Sequence, residues 1–375
     1  MILKFNTSQF CEALGVVAKV VKRSSINEIL GNVLMTVTSE HVRLEATDNS
    51  LHAIAYILEP QPFADHAVTA FDPKRALTFL GPMANGELEV VVPQDRTEAI
   101  RFSVKGSRCS LNQVDTIDAF PTFQKLDHTA SFQIAGEDFL KLIDQGGQCF
   151  EESDALNRFT LTGIHLTYKD GLLKVESCNG AYGTIAKLAA PGSGEADVIV
   201  DPKSLATCLR IANDGKDIDV RFVPGRVEFH GETYGAACPI MAGKFPDLSR
   251  ISRGNPATVF KVNRKEFLAG LSSAQACLHP ESSAVDFDVR QGDLKLSTLD
   301  RGAGDSEVHL GVETTGSDNL FTLAYRLASV VLKACPGDDA EFFYDPSSPG
   351  VFVATPQNAD WLGMIATMRL EDSRR

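Results

Sequence analysis

The sequence predicts an α+β fold in which one unit occurs three times over. Three observations predict it: amphipathic helices at matching positions, a recurring Asp-Pro helix start, and strand pairs around polar turns between the helices. The first helix of unit one is read at Ser8–Leu14, where Phe10, Ala13, Leu14, Val17 and Val21 keep the i, i+3, i+4, i+7 spacing of one buried face. Glu137–Ile143 and Lys265–Leu271 share its layout, and Phe10, Phe139 and Phe267 stand 129 and 128 residues apart. Asp72-Pro73-Lys74 opens a second helix, and Asp201-Pro202-Lys203 opens another 129 residues later. An Asp accepts from free N–H groups at a helix start, and Pro tolerates the first helical position. The third copy, Leu323–Leu327, keeps the apolar spacing and lacks the Asp-Pro start.

Hairpins fill each unit between the helices. Val33–Val37 is followed by Val42–Ala46. Ile164–Tyr168 turns at Lys169-Asp170-Gly171 into Leu172–Val175, and Val285–Val289 turns at Gln291-Gly292-Asp293 into Leu294–Leu296. A further pair follows each second helix: Leu88–Val92 with Ala99–Val104, Ile218–Val223 with Arg226–His230, and Ala340–Tyr344 with Gly350–Ala354. Units one and two close on Phe120-Pro121 and Phe245-Pro246, so the expected domains are 1–125, 126–253 and 254–375. Each is read as two helices packed on antiparallel sheets.

Composition excludes other classes. Apolar residues at 43% and charged residues at 23% are ordinary for globular chains. The 36 Lys and Arg against 49 Asp and Glu leave a net charge of −13, so any nucleic-acid surface must be a local basic one. No apolar stretch has membrane-span length and no secretory signal is visible. The eight cysteines are scattered with no CxxC pair, which favours reduced thiols and a cytoplasmic setting.

Ile29-Leu30-Gly31-Asn32, Leu44–Asp48, Lys244–Ile251 and Met368-Arg369-Leu370, in this order along the threefold repeat, resemble the bacterial sliding clamps, the β subunits of DNA polymerase III, as a divergent member. The resemblance implies a head-to-tail homodimer: a six-domain ring with sheets outside and helices lining a hole through which double-stranded DNA passes, without sequence preference. It implies a processivity factor rather than an enzyme, with no cofactor or metal and no membrane. Its partners would be DNA polymerase and clamp-loader subunits. An accessory clamp-fold scaffold outside bulk replication, with altered partner specificity, is the alternative.

A ring that slides needs diffuse Lys and Arg facing phosphates, not a sequence-reading site. The candidates are Lys22, Arg23, Lys74, Arg75, Arg158, Lys203, Arg210, Arg264, Arg326 and Lys333, each of which taken singly also fits a solvated helix face. Arg158 follows from the family's DNA-meeting loop, with Phe159 expected in the core. Unit two's first helix runs against the pattern, since Glu137, Asp138, Asp144, Glu151 and Glu152 surround Lys141.

The resemblance also places a partner-peptide cleft at Leu161, Cys178, Gly180, Tyr182, Pro246, Arg250, Ile251, Thr322, Tyr325, Met364, Ile365, Met368, Arg369 and Leu370. Met364, Ile365 and Met368 also fit the core face of a final edge strand. The family's Asp-Gly-His-Arg-Leu stretch reads Asn179-Gly180-Ala181-Tyr182-Gly183 here, a pocket aromatic becomes Ser282, and Thr367 stands for the usual Pro. For subunit pairing the implied positions are Arg108, Cys109 and Leu111 with Ala276 and Cys277; the two thiols replace larger apolar residues, or are small core residues. No phosphate loop, HExxH or GxSxG motif occurs, and the eight histidines keep no metal-ligand spacing.

Overall fold

The computed structural model describes residues 1–22, 27–59, 66–83, 85–114, 116–154, 158–250, 254–278, 283–300, 302 and 304–368. Its elements run through one order three times. The first pass is β1 (Ile2–Asn6), α1 (Thr7–Val17), β2 (Val33–Val37), β3 (Val42–Thr47), β4 (His52–Ile57), β5 (Ala67–Phe71), α2 (Pro73–Leu80), β6 (Glu87–Val91), β7 (Ile100–Val104) and β8 (Ser107–Leu111). The second is β9 (Ala130–Ala135), α3 (Gly136–Gly146), β10 (Ile164–Lys169), β11 (Leu172–Cys178), β12 (Tyr182–Ala189), β13 (Gly192–Gly194), β14 (Ala196–Val200), α4 (Pro202–Ala212), β15 (Asp217–Val223), β16 (Arg226–His230) and β17 (Tyr234–Met241). The third is β18 (Thr258–Asn263), α5 (Arg264–Ala274), β19 (Ala284–Arg290), β20 (Asp293–Asp300), β21 (Gly304–Gly311), β22 (Glu313–Gly316), β23 (Asn319–Ala324), α6 (Tyr325–Ala334), β24 (Asp339–Tyr344), β25 (Gly350–Thr355) and β26 (Asn358–Ala366).

Local chemistry sets the helix starts. The Asn6 side chain accepts from the N–H groups of Ser8 and Gln9, Asp72 from those of Lys74 and Arg75, and Asn263 from those of Lys265 and Glu266. The start of α6 is Ala324, with no side-chain cap, where the Asp-Pro pair is missing. Phe10, Phe139 and Phe267 are fully buried, and each stabilises by about 2–3 kcal/mol. Phe10 packs on Phe5 and Phe102, and Phe267 on Phe287 and Phe342.

The chain clusters into two compact units, one of residues 1–138, 191–194 and 203–240, the other of residues 139–190, 195–202 and 241–375. Each contains two antiparallel sheets. In the first unit these are β1-β6-β7-β8 and a nine-strand sheet ordered β5-β2-β3-β4-β17-β16-β15-β9-β13. In the second they are β21-β20-β19-β23 and a nine-strand sheet ordered β14-β10-β11-β12-β26-β25-β24-β18-β22.

The hairpins expected from sequence are therefore parts of larger meanders. A third strand follows each first hairpin (β4, β12, β21), and another follows each second hairpin (β8, β17, β26). Two joints form between these extra strands. Strand β4 pairs with β17, Ala53 opposite Ala236, and β12 pairs with β26, Thr184 opposite Gly363. The reading of Met364 and Ile365 as part of an edge strand is thus corrected, because β26 is paired on both sides. No helix among the described residues is long and apolar enough to cross a membrane.

Candidate functional site

The β11–β12 turn opens the cleft region. Asn179 Oδ1 accepts from the N–H groups of Ala181 and Tyr182, and Gly180 takes φ +89° between them, the left-handed backbone that glycine adopts freely. Beside this turn the end of β26 and the start of β25 enclose a cavity of about 190 Å³. Its walls come from Cys178, Gly180–Gly183, Leu248, Ser348–Phe352 and Met364–Ala366. Beneath it Leu161, Cys178, Ile199, Phe245, Leu248, Phe352 and Met364 form one apolar cluster. Burial pushes the Cys178 thiol up to about 11 and the Tyr182 phenol up to about 12, so this wall is uncharged at neutral pH. The surface fits a short apolar segment held by shape.

Five expected cleft residues line this cavity: Cys178, Gly180, Tyr182, Met364 and Ile365. Leu161 lies in the supporting cluster. Pro246 is exposed and Tyr325 half-buried, and neither lines the cavity. Thr322 is fully buried, its hydroxyl donating to Asp286 at 2.5 Å, and Met368 is bridged to its backbone. Ile251, Arg369 and Leu370 fall outside the described residues, as does the Arg250 side chain. Sequence reasoning missed Leu248 and the Pro349–Phe352 wall. Leu248 carried a signal, three residues after the Phe of the recurring Phe-Pro pair, just as Phe123 follows Phe120.

A buried polar device holds the Phe-Pro segment. The His165 ring stacks on Phe245 at 4.6 Å, with Nδ1 2.9 Å from Glu176 and Nε2 2.7 Å from Asp197. Burial disfavours ionised Glu176, but bonds from His165 and Lys174 outweigh it and hold the carboxyl below the ordinary glutamate value.

The expected basic residues on the second helices are repeat equivalents. The second helical position is Lys74, Lys203 or Arg326, all exposed. Seven residues on, and hence on the same face, stand Arg210 in α4 and Lys333 in α6, both exposed, with Gly81 following α2. Others have local partners. Lys22 lies 2.5 Å from buried Asp48, Arg75 lies 3.4 Å from Asp72, Arg264 donates to the Gly337 carbonyl at 2.8 Å, and Arg326 pairs with Glu152. Arg158 reaches back to the cleft turn, donating to the Asn179 carbonyl at 3.3 Å. Phe159 is 50% exposed and not in the core as expected, because its short helical turn buries Leu161 instead. Arg23 falls outside the described residues.

Of the expected pairing residues, Arg108 is exposed, Cys109 half-buried and Leu111 buried, all on β8. Ala276 is exposed and Cys277 half-buried on the turn Gln275–Cys277, which packs beside β21. Strands β8 and β21 each end a sheet, and no described strand pairs with their outer sides. Among the described residues no group of three His, Cys, Asp or Glu side chains is placed to hold a metal ion.

This pattern of a thrice-repeated two-helix, two-sheet domain, joined edge to edge, is the clamp fold. Residues 1–119 match the N-terminal domain of the DNA polymerase III beta subunit family and residues 133–247 its central domain. The beta sliding clamp of Rickettsia bellii is 23% identical over 371 residues, covering 94% of this chain and 95% of that protein. That of Pseudomonas putida is 22% identical over 365 residues, covering 95% and 96%. Among solved structures, the DNA polymerase III subunit beta of Pseudomonas aeruginosa superposes with a TM-score of 0.89 at 19% identity, covering 99% of this chain and all of that one. The sliding clamp of Bacillus subtilis gives 0.86 at 17%, covering 98% and 99%. The chain belongs to the DNA polymerase III beta subunit family as a divergent member. Its function is that of a DNA sliding clamp in replication, and the alternative of an accessory scaffold is not favoured.

Proposed function

We propose that two copies of this chain, each with domains 1–125, 126–253 and 254–375, close head to tail into a ring around double-stranded DNA and tether a polymerase to it. One observation carries this reading. The two joints inside the chain use equivalent strands in equivalent register, and β21 and β8, the third pair of that series, keep their outer sides unpaired among the described residues. Carrying the register over sets Ser306 opposite Cys109 of the second copy and Glu307 opposite Arg108, an acid facing a base across the seam. Such pairing removes both exposed sheet edges and closes by two-fold symmetry.

In this reading Lys74, Lys203, Arg210 and Lys333 meet the DNA phosphates, with weaker contributions from residues already tied to acids or carbonyls, Arg326 among them. The exposed acids of α3, Glu137, Asp138 and Asp144, oppose tight contact. That suits a ring held by topology rather than by grip. The apolar cavity beside the Asn179–Tyr182 turn takes short segments of polymerase and clamp-loader subunits in the cytoplasm, and the ring itself catalyses nothing. Native mass measurement and synthesis on primed circular DNA test this together. A two-chain particle that lengthens the products of its cognate polymerase is expected. A lone chain, or a dimer without effect on product length, would overturn it.

A further inference from the structure

The head-to-tail seam proposed above has a chemical feature of its own. Of the eight thiols, five are buried and three, Cys11, Cys109 and Cys277, are partly accessible. Cys109 lies on the edge strand β8, and Cys277 on the turn that packs beside the edge strand β21. The register of the internal joints makes Cys109 the counterpart of Ala236, opposite Ala53, and of Gly363, opposite Thr184. Across the seam its opposite number is Ser306. The Ser306 hydroxyl donates to the Ala274 carbonyl at the end of α5, as the equivalent Thr184 donates to Gly146 at the end of α3. Both side chains therefore point to the sheet face that carries the first helix, and Cys109 opposite Ser306 shares that face.

Cys277 is already there. In the second repeat its counterpart is Cys149, whose sulfur accepts from the Thr184 hydroxyl at 3.6 Å. In the third repeat the Cys277 sulfur lies 3.8 Å from where a Cβ on Gly304 would stand, an ordinary contact distance. Gly304 is the diagonal neighbour of Cys109 across the seam. Directly opposite Cβ atoms in a sheet are ~4.5–5.5 Å apart and diagonal ones ~7–8 Å, and a disulfide needs about 3.5–4.5 Å. The Cys277 sulfur stands in van der Waals contact with that diagonal position, which brings both thiols to the same corner of the seam.

We propose that Cys109 of one subunit and Cys277 of its partner form a seam disulfide, so that a low-molecular-weight disulfide converts the ring into a covalently closed one. The step is thiol–disulfide exchange. One Cys thiolate attacks the reagent's S–S bond and releases one reagent thiol; the other Cys thiolate attacks the mixed disulfide and releases the second. Two protein thiols are oxidised, the reagent is reduced, and the two cysteine protons leave with the two reagent thiols. This inference rests on the head-to-tail reading.

The test incubates the full-length protein with oxidised glutathione and follows non-reducing gel mobility beside native mass. A two-chain band that disappears on reduction is expected, lost in C109S and in C277S but unchanged in C11S. Mixing C109S with C277S chains should restore a band linked at one seam only, which no linkage within a chain can produce. Native mass of each variant shows that it still assembles. A two-chain particle giving no covalent band, or a band that survives C277S, overturns the disulfide while leaving the ring standing. A particle of one chain before and after oxidation overturns both.

Discussion

The two joints inside the chain are built on the same plan and finished in opposite ways. At each, an Asx turn leads into the pairing strand: Asp48-Asn49 before β4, and Asn179-Gly180 before β12, with φ of +73° and +89° at the second residue. At each, a Phe-Pro segment folds back over the sheet. In the second unit the residue three past that Phe is Leu248, and it lines an open cavity with Gly350, Phe352 and Gly183. In the first unit the equivalent residue is Phe123, and its surroundings are polar. Its N–H donates to buried Glu45, the Arg226 guanidinium lies 4.4 Å over its ring, and His52 and His230 meet its edges at 5.7 and 6.2 Å. Arg226 stands where the second unit has Gly350, and Glu228 where it has Phe352, by the registers of β16–β17 and β25–β26. One joint is therefore plugged by its own chain, and the other keeps an apolar hollow. A repeated fold supplies the position, and three or four side chains decide whether it is filled.

Equivalent carboxylates at the two joints feel this difference. Burial raises the Glu45 pKa above its usual value, with Arg43 and the Phe123 N–H only partly opposing it, whereas Glu176 ends below the usual value.

Replacing Phe123 by Ala breaks the comparison most directly. It removes the plug from a half-buried site and should lower stability by about 2 kcal/mol, read from urea unfolding, without weakening partner-peptide binding. The equivalent change, Leu248→Ala, removes a buried side chain that also lines the cavity, so it should lower stability by at least as much. In addition, peptide affinity falls about tenfold by titration calorimetry, close to 1.4 kcal/mol. Should both variants behave alike, the plugged and open joints are not distinct.

The turns sharpen the contrast at smaller scale. Burial would raise the Asp48 pKa, but hydrogen bonds from Lys22, Ser50 and Leu51 outweigh it and hold it at about 2, below the ordinary 3.8. A carboxylate depressed on folding stabilises above its unfolded pKa, and that contribution fades as pH falls from about 4 toward 2. Asp48→Asn keeps the turn and loses the charge, so it should cost roughly 1 kcal/mol at pH 7, discounted for the exposed lysine, and only a small fraction of that near pH 2. Thermal unfolding at both pH values checks it; the neutral Asn179 turn offers no such dependence. The smallest effect is expected at the helices. Lys203→Gln should weaken DNA association by less than about threefold and make it less steeply salt-dependent, measured by anisotropy at two ionic strengths. Arg326→Gln, already paired with Glu152, should do less.

Local elements were legible because their causes are local. The spacing around Phe10, Phe139 and Phe267 is one helix face repeated, and Asp72-Pro73 is a cap whose chemistry lies within four residues. The absent cap at Ala324 could be read the same way. The cleft was legible in part: Cys178, Gly180, Tyr182, Met364 and Ile365 were named from the resemblance, whereas the Pro349–Phe352 wall was not. Arg158 and Phe159 were read as a DNA contact and a core residue, yet one reaches the cleft turn and the other is exposed.

The residue pattern alone carried the helices, the Asp-Pro starts and the hairpins, since each rests on residues within a few turns of one another, and their recurrence after 129 and 128 residues carried the threefold period. Only the tertiary structure decided the joints. Strand pairing across the chain is made by backbone groups that every residue carries, and the residues meeting there, Ala53 with Ala236 and Thr184 with Gly363, are small and leave no periodic signature. Which joint closes on itself and which stays open follows from side chains far apart in sequence, Phe123 with Arg226 and Leu248 with Gly350, brought together only when the sheets are complete.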